Sequence, residues 1–413
     1  MGSIMGFLER IKYTLIHVFM RIKEFLKRVI SSKHFIRYAP LAVMALVAVV
    51  TFATCVSGQP PEQEPEPEPP AISESPPPAS PTASPTLTPE PDPDPDPDPD
   101  VEPDTGFRNP LTGLQTEEDI SARRPLAIVI NNHRDSLPQN GVSKADIIYE
   151  YLVEGGSTRM LALYQDVSDV GVIGSVRSAR HYTVDLVQSY DAIFIFAGWS
   201  PQAQEAVRTR NIDYFDDVSG VGTEIFYRDP NRRATMSSEH TLVTSGARIT
   251  QHLPNRTFRK DHDEGYLRNL SFIEDGTPDS GEKALEFTVR FGPGSKSTAF
   301  SFSDETGLYN LRQQGSAYID GNDRSQVAVT NVLILEMATA GIPGDGEGRL
   351  NITTIGSGDG YYACGGVYVS IKWSREDATS QFRYTLADGS ELILGRGKTY
   401  ICLIRPTGTV EFA

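Results

Sequence analysis

The sequence predicts an α/β N-terminal domain with a mixed sheet, followed by a smaller, mostly antiparallel β domain. A membrane anchor and a disordered linker are expected ahead of them. Three observations carry this reading. Short apolar runs at 125–130 and 192–197 end in Asn, Gly or Ser clusters, the pattern of strands buried on both faces. From Leu285 onward apolar and polar residues come close to alternating, as half-buried strands do. The first 106 residues hold one long uncharged apolar run and then a tract of Pro, Asp and Glu.

These features divide the chain into 1–38, 39–57, 58–106, 107–254, a connection at 255–283, and 284–413. In the first part Phe7, Ile11, Leu15, Val18, Ile22, Phe25 and Val29 recur every three or four residues with Lys and Arg between them. That is a basic amphipathic helix suited to an anionic cytoplasmic leaflet; a partner-binding helix is the alternative. Residues 41–56 form the apolar run, with Lys33 and Arg37 before it and only acids after it. The charge asymmetry places the N-terminus inside and the bulk outside. The run reads as a transmembrane span, a signal peptide, or the leader of a lipid-modified Cys55, although Phe52-Ala53-Thr54 is a poor lipobox. The expected location is therefore the cell membrane, single-pass or lipid-anchored, with the folded domains extracellular. Residues 60–103 cannot bury a core and favour extended polyproline II, a stalk of roughly 130 Å at ~3.1 Å per residue.

The formal net charge is −16, of which residues 1–58 carry +6 and residues 59–106 carry −13, leaving −9 on 107–413. An acidic ectodomain argues against a nucleic-acid partner, because phosphate binding needs a basic face. The membrane lipid surface, met through residues 1–57, and an anionic cell-wall ligand are the partners expected.

In the folded part, strand 125–130 ends in Asn131-Asn132-His133, where ligands bind in open α/β sheets. Strands 147–153 and 159–164 follow, joined through Glu154-Gly155-Gly156 as in a hairpin. Glu150 and Glu154 are either an acid–base pair or partners for Arg159, Arg177 or Arg180, the second being favoured. Residues 174–186 read as a tight turn opening into a helix capped by Ser178, with Arg177 and Arg180 beside the cap. Two guanidiniums there need an anion, whether an internal carboxylate or a ligand. Strand 192–197 leads to a helix at 202–209, with Ser200 as cap and Pro201 at its first position. Asp229 and His240 come next, and 241–252 looks helical.

Several motifs in order resemble a known family: Asn109-Pro-Leu-Thr-Gly113, Arg124 to His133, Ala145 to Glu150, Val153-Glu-Gly-Gly156, Gly174 to Arg180 and Phe226-Tyr-Arg-Asp229. They are similar to those of the YerB-like bacterial lipoproteins, a domain of unknown function, and the similarity spans most of 108–406. It implies an exported, membrane-tethered protein with an α/β part and a smaller C-terminal part, and brings no established activity. His181 stands where the family usually has Pro, and His240 falls on a family histidine within a loosely matching segment.

In the C-terminal part, strands are expected at 286–291, 297–302, 307–312, 364–373, 381–387 and 398–404, with a buried run at 327–337 and Gly/Asp turns at 344–348 and 356–360. Cys364 and Cys402 lie in two of these strands, either as a disulfide or as two separately buried thiols. No P-loop, His-Glu-x-x-His, Gly-x-Ser-x-Gly or CxxC pair occurs, so no cofactor or metal is expected. Three functions remain. The first is binding of an anionic wall or peptide group by Arg177, Ser178 and Arg180, helped by Asn132 and His133. The second is an envelope hydrolase with His133 or His240 as base and Glu150 or Glu154 as its partner. The third is a scaffold for another membrane protein.

Overall fold

The computed structural model describes residues 105–413. The amphipathic helix, the apolar run, Cys55 and nearly all of the stalk lie outside these residues. No helix among the described residues is long and apolar enough to cross a membrane.

The core is an 11-stranded mixed sheet. Its N-terminal half holds β1 (Leu126–Asn131), β2 (Ile147–Leu152), β3 (Thr158–Tyr164), β4 (Ile193–Phe196) and β5 (Tyr214–Asp216). β1 lies between antiparallel β3 and parallel β4, and β2 pairs antiparallel with β3. Every residue of β1, β2 and β3 is buried, Asn131, Glu150 and Arg159 included, as in strands covered on both sides. Helices α1 (His181–Ser189) and α2 (Pro201–Thr209) cover one face, where Tyr182, Val184 and Val207 join Ala127 and Val129. Ser200 caps α2 by accepting from Ala203 N at 3.2 Å, with Pro201 in the first turn, as the sequence indicated.

The C-terminal region is built mostly of antiparallel pairs and also extends the same sheet. Its strands include β6 (Glu282–Lys283), β7 (Glu286–Arg290), β8 (Ser297–Ser303), β9 (Leu308–Gln313), β10 (Asn331–Glu336), β11 (Gly356–Cys364), β12 (Val367–Arg375), β13 (Thr399–Ile404) and β14 (Thr409–Phe412). The large sheet runs β6–β12–β11–β10–β13–β2–β3–β1–β4–β5, and an eleventh strand, Arg383–Thr385, pairs with β12 off this path. β13 pairs in parallel with both β2 and β10, which joins the two regions through backbone hydrogen bonds. β7, β8, β9 and β14 form a second sheet whose Phe287, Val289, Phe300 and Leu311 cover the face away from the helices.

Four expectations need correction. α1 begins at His181, not beside Ser178, because Ser178 stays in extended chain and its hydroxyl donates to Ala197 O at 2.9 Å. Residues 241–252 are a strand, Leu242–Ser245, followed by a helix, Gly246–His252. The glycines at 356–360 belong to β11; a Cβ at Gly358 would stand 2.6 Å from Trp373 Nε1, so glycine serves close approach there, not a turn. Finally, Cys364 and Cys402 are free thiols. They sit on opposite faces of the sheet, on β11 and β13, with β10 running between them, so no disulfide can join them.

A cleft at the carboxyl end of β1

β1 and β4 are hydrogen-bonded neighbours only at their first residues. Beyond them the extended segment 175–179 wedges between the two strands. Asn131 N donates to Ser175 O, Arg177 N to Val129 O and Ala197 N to Arg177 O. The wedge leaves a crevice at the carboxyl end of the strands, the place where open α/β sheets bind ligands. The cleft there has a volume of about 270 Å³, and Asn131, His133, Glu154, Arg159, Arg177 and His240 are among its lining residues.

The structure brings four of the sequence-derived residues to this cleft: His133, Glu154, Arg177 and His240. It removes the other four. Arg180 is 7% exposed and held by Glu154 through two hydrogen bonds, Nε–Oε1 at 2.7 Å and Nη2–Oε2 at 2.8 Å. Burial alone would lower its pKa, but the Glu154 bonds and charge overcome that and raise it. The same pairing outweighs burial at Glu154 and holds that carboxyl low. Arg180 is therefore a structural ion pair, as a carboxylate partner for one of the arginines had suggested. Ser178 is engaged with Ala197 O.

Asn132 and Glu150 are fully buried behind the cleft. Glu150 accepts from Thr158 Oγ1 (2.6 Å), Asn132 Nδ2 (2.8 Å), Thr298 Oγ1 (2.7 Å), Tyr400 OH (2.7 Å) and Lys296 Nζ (3.2 Å). Five donors, one of them the buried cation Lys296, satisfy this carboxylate, so it staples the second sheet to the first. Neither Glu150 nor Glu154 reaches a histidine, and the relay written for a hydrolase is not formed.

The cleft residue that sequence reasoning does not single out is Arg159. It faces Asn131 across β1 and β3, is 8% exposed, and has no carboxylate within ion-pair distance among the described residues. Its guanidinium donates to Ser178 O at 2.8 Å. Burial, with Arg180 and Arg177 nearby, pushes its pKa down to about 10, so it remains charged at neutral pH. Arg177 donates to Glu239 O at 2.8 Å and meets Glu239 Oε2 at 3.3 Å, while its Nε is buried without a partner. Glu154 is taken by Arg180 and Glu239 by Arg177, which leaves Arg159 as the guanidinium with no carboxylate in contact among the described residues. The available signal was a lone Arg at the start of an otherwise apolar strand.

The two histidines stack, with centroids 5.6 Å apart and planes 11° from parallel. Their hydrogen bonds fix where the protons are. His133 N donates to Asn131 Oδ1 at 3.1 Å, which leaves Asn131 Nδ2 as the donor to His240 Nδ1 at 3.0 Å. Asp135 N donates to His133 Nδ1 at 3.2 Å. Both rings therefore accept at Nδ1 and carry hydrogen on Nε2 when neutral. Burial lowers the pKa of His240; Glu239 opposes the shift, and Arg177 and His133 add to it. A catalytic base needs the opposite polarity, with an orienting group that accepts from Nδ1–H. This cleft offers N–H donors.

A larger hollow of about 690 Å³ lies near Arg124, Asp191, Arg210, Asp213 and Arg259. Its arginines are all committed: Arg124 to Asp213, Arg259 to Asp191 and Arg210 to Asp185. No group of three or more His, Cys, Asp or Glu side chains among the described residues could hold a metal ion.

Two domain models match in tandem: "Protein of unknown function (DUF3048) N-terminal domain" over residues 111–259 and its C-terminal counterpart over 287–401. The chain belongs to the DUF3048 family. It is 29% identical over 297 residues to a Bacillus subtilis protein named "Putative lipoprotein YerB", covering 71% of this chain and 85% of that one. The crystal structure of YerB protein from Bacillus subtilis matches with a TM-score of 0.63 at 27% identity, covering 74% of this chain and 99% of that chain. The segment matched by the N-terminal domain model contains the cleft residues.

Proposed function

We propose that this DUF3048 protein is exported, held at the membrane by a lipid on Cys55, and binds a small anionic ligand of the cell envelope in the cleft at the end of β1. Tethering is supported by similarity to a protein named as a lipoprotein and by the basic N-terminus, the apolar run 41–56 and Cys55 within it. The binding reading rests on one observation above the rest: Arg159 is charged, nine-tenths buried and without an acid of its own. A folded chain retains such a group against its desolvation cost when a partner from outside completes it. Arg177 and the two histidine N–H groups supply further donors around the same space.

Arg159→Met in the full-length protein tests this. With N-acetylalanine or inorganic phosphate as probe, calorimetry should read a loss of on the order of 10- to 100-fold in affinity, equivalent to about 1.5–3 kcal/mol for hydrogen bonds to a charged group. The melting temperature should hold or rise, since the substitution removes a buried charge repelled by Arg177 and Arg180. A variant that unfolds while wild type binds neither probe would assign Arg159 to structure. For the tether, labelled palmitate should be incorporated into wild type and not into Cys55→Ala. Incorporation into both would exclude this attachment.

A further inference from the structure

The charges of the cleft are sorted by depth. The two cations are withdrawn: Arg159 is 8% exposed and the Arg177 side chain 24%. The two acids not consumed by Arg180 lie outward, the Asp135 side chain 60% exposed and that of Glu239 59%. Asp135 contacts Arg134 Nε at 3.2 Å in solvent, and Glu239 meets Arg177 at 3.3 Å. Such exposed contacts hold a side chain only weakly and leave it able to face a ligand. Of the stacked histidines, His240 lies with the withdrawn cations at 7% side-chain exposure and His133 nearer the mouth at 45%. The local field therefore changes sign from floor to mouth.

From this we infer that the ligand is a zwitterion, a carboxylate with an ammonium a few bonds away, as in an amino acid or the end of a short peptide. The inference rests on the anion-binding reading and narrows it. The carboxylate enters first and takes the Arg159 and Arg177 donors, while the ammonium remains at the mouth beside Asp135 and Glu239. A dianion of the same length would bring its second charge against those two carboxylates. A polymer of phosphates would do so at every repeat, so the mouth discriminates against the polyanions that a bare arginine pair would accept. The volume of about 270 Å³ suits a ligand of one or two residues.

The experiment is a calorimetric series on the full-length protein with three probes of similar size: alanylalanine, its N-acetylated form and succinate. The zwitterion should bind most tightly and succinate least. Asp135→Asn should weaken alanylalanine by about 2- to 5-fold, the scale of an exposed ion pair, and should leave the N-acetylated form unchanged or improved. If the N-acetylated form or succinate binds as well as alanylalanine to wild type, the zwitterion assignment is overturned and the anion site stands. If no probe binds, or Arg159→Met binds all three like wild type, both readings fall. The wild-type series decides the matter even if Asp135→Asn is poorly behaved.

Discussion

At the scale of single residues, the polarity of the Asn131–His240 contact decides what the cleft can do. An amide that donates to Nδ1 leaves the imidazole proton on Nε2. Replacing it by an acceptor should reverse this. Asn131→Asp would hold a proton on Nδ1, raise the pKa of His240 and place a negative charge in the cleft. NMR titration should read the upward shift, and affinity for N-acetylalanine should fall about tenfold, equivalent to about 1.4 kcal/mol. In the wild type, burial keeps His240 below its ordinary 6.5. As pH falls, the unfolded chain takes up this proton first. The stability contributed by His240 is thus complete above 6.5 and is lost as pH drops toward the lowered value. The sequence singles out Arg177, Arg180, Glu154, His133 and His240 as candidates. It could not say which arginine Glu154 would take, because that depends on a contact 26 residues apart that only the folded hairpin creates. Arg180 takes that carboxylate, and Arg159 is left without one.

At the scale of elements, two short segments do most of the positioning. The hairpin between β2 and β3 reverses through Gly155 and Gly156, at φ +69° and +72°, a conformation that glycine adopts without strain. This reversal carries Glu154 out of the core toward Arg180 while Glu150 stays inside. The glycine pair is legible in the sequence, and an acid–base pairing of the two acids fails because the strand ends at Leu152. The second segment is the end of α1, where Asp191 binds Arg259 through two hydrogen bonds of 2.7 Å and His262 Nδ1 at 3.0 Å. Burial works against its charge, yet these partners and Arg124 hold its pKa down to about 2. Asp191 sits at φ +47°, which Asn also tolerates, so Asp191→Asn removes charge without backbone strain. It should cost about 1–3 kcal/mol in denaturant melts at neutral pH, moderated by solvent on its open side. The difference from wild type should be complete above the ordinary 3.8 and vanish as pH falls toward about 2.

At the scale of the whole molecule, the division at 255–283 that composition suggests does not divide the sheet. β2 has β13 as one of its two neighbours, and Glu150 on β2 is completed by Lys296, Thr298 and Tyr400. A chain ending at residue 283 would leave β2 as an open edge and Glu150 as a buried, half-satisfied charge. Such a truncation should show no cooperative thermal transition by circular dichroism, whereas the full chain should unfold through 107–413 as one unit. Local signals explain what is legible: run length and alternation locate most of the longer strands to within a few residues, but not β5, β6, β11 or β14. Pairing across some 250 residues leaves no trace in one sequence, so neither the bond of β13 to β2 nor the opposite facing of Cys402 and Cys364 is legible in it.

The wedge 175–179 has one more implication. It is hydrogen-bonded to β1 on one side and to the end of β4 on the other before any visitor arrives. The opening it creates is a socket, not a jaw. Capture should then need only collision, with an observed association rate that climbs linearly with ligand concentration and never levels off at a conformational limit.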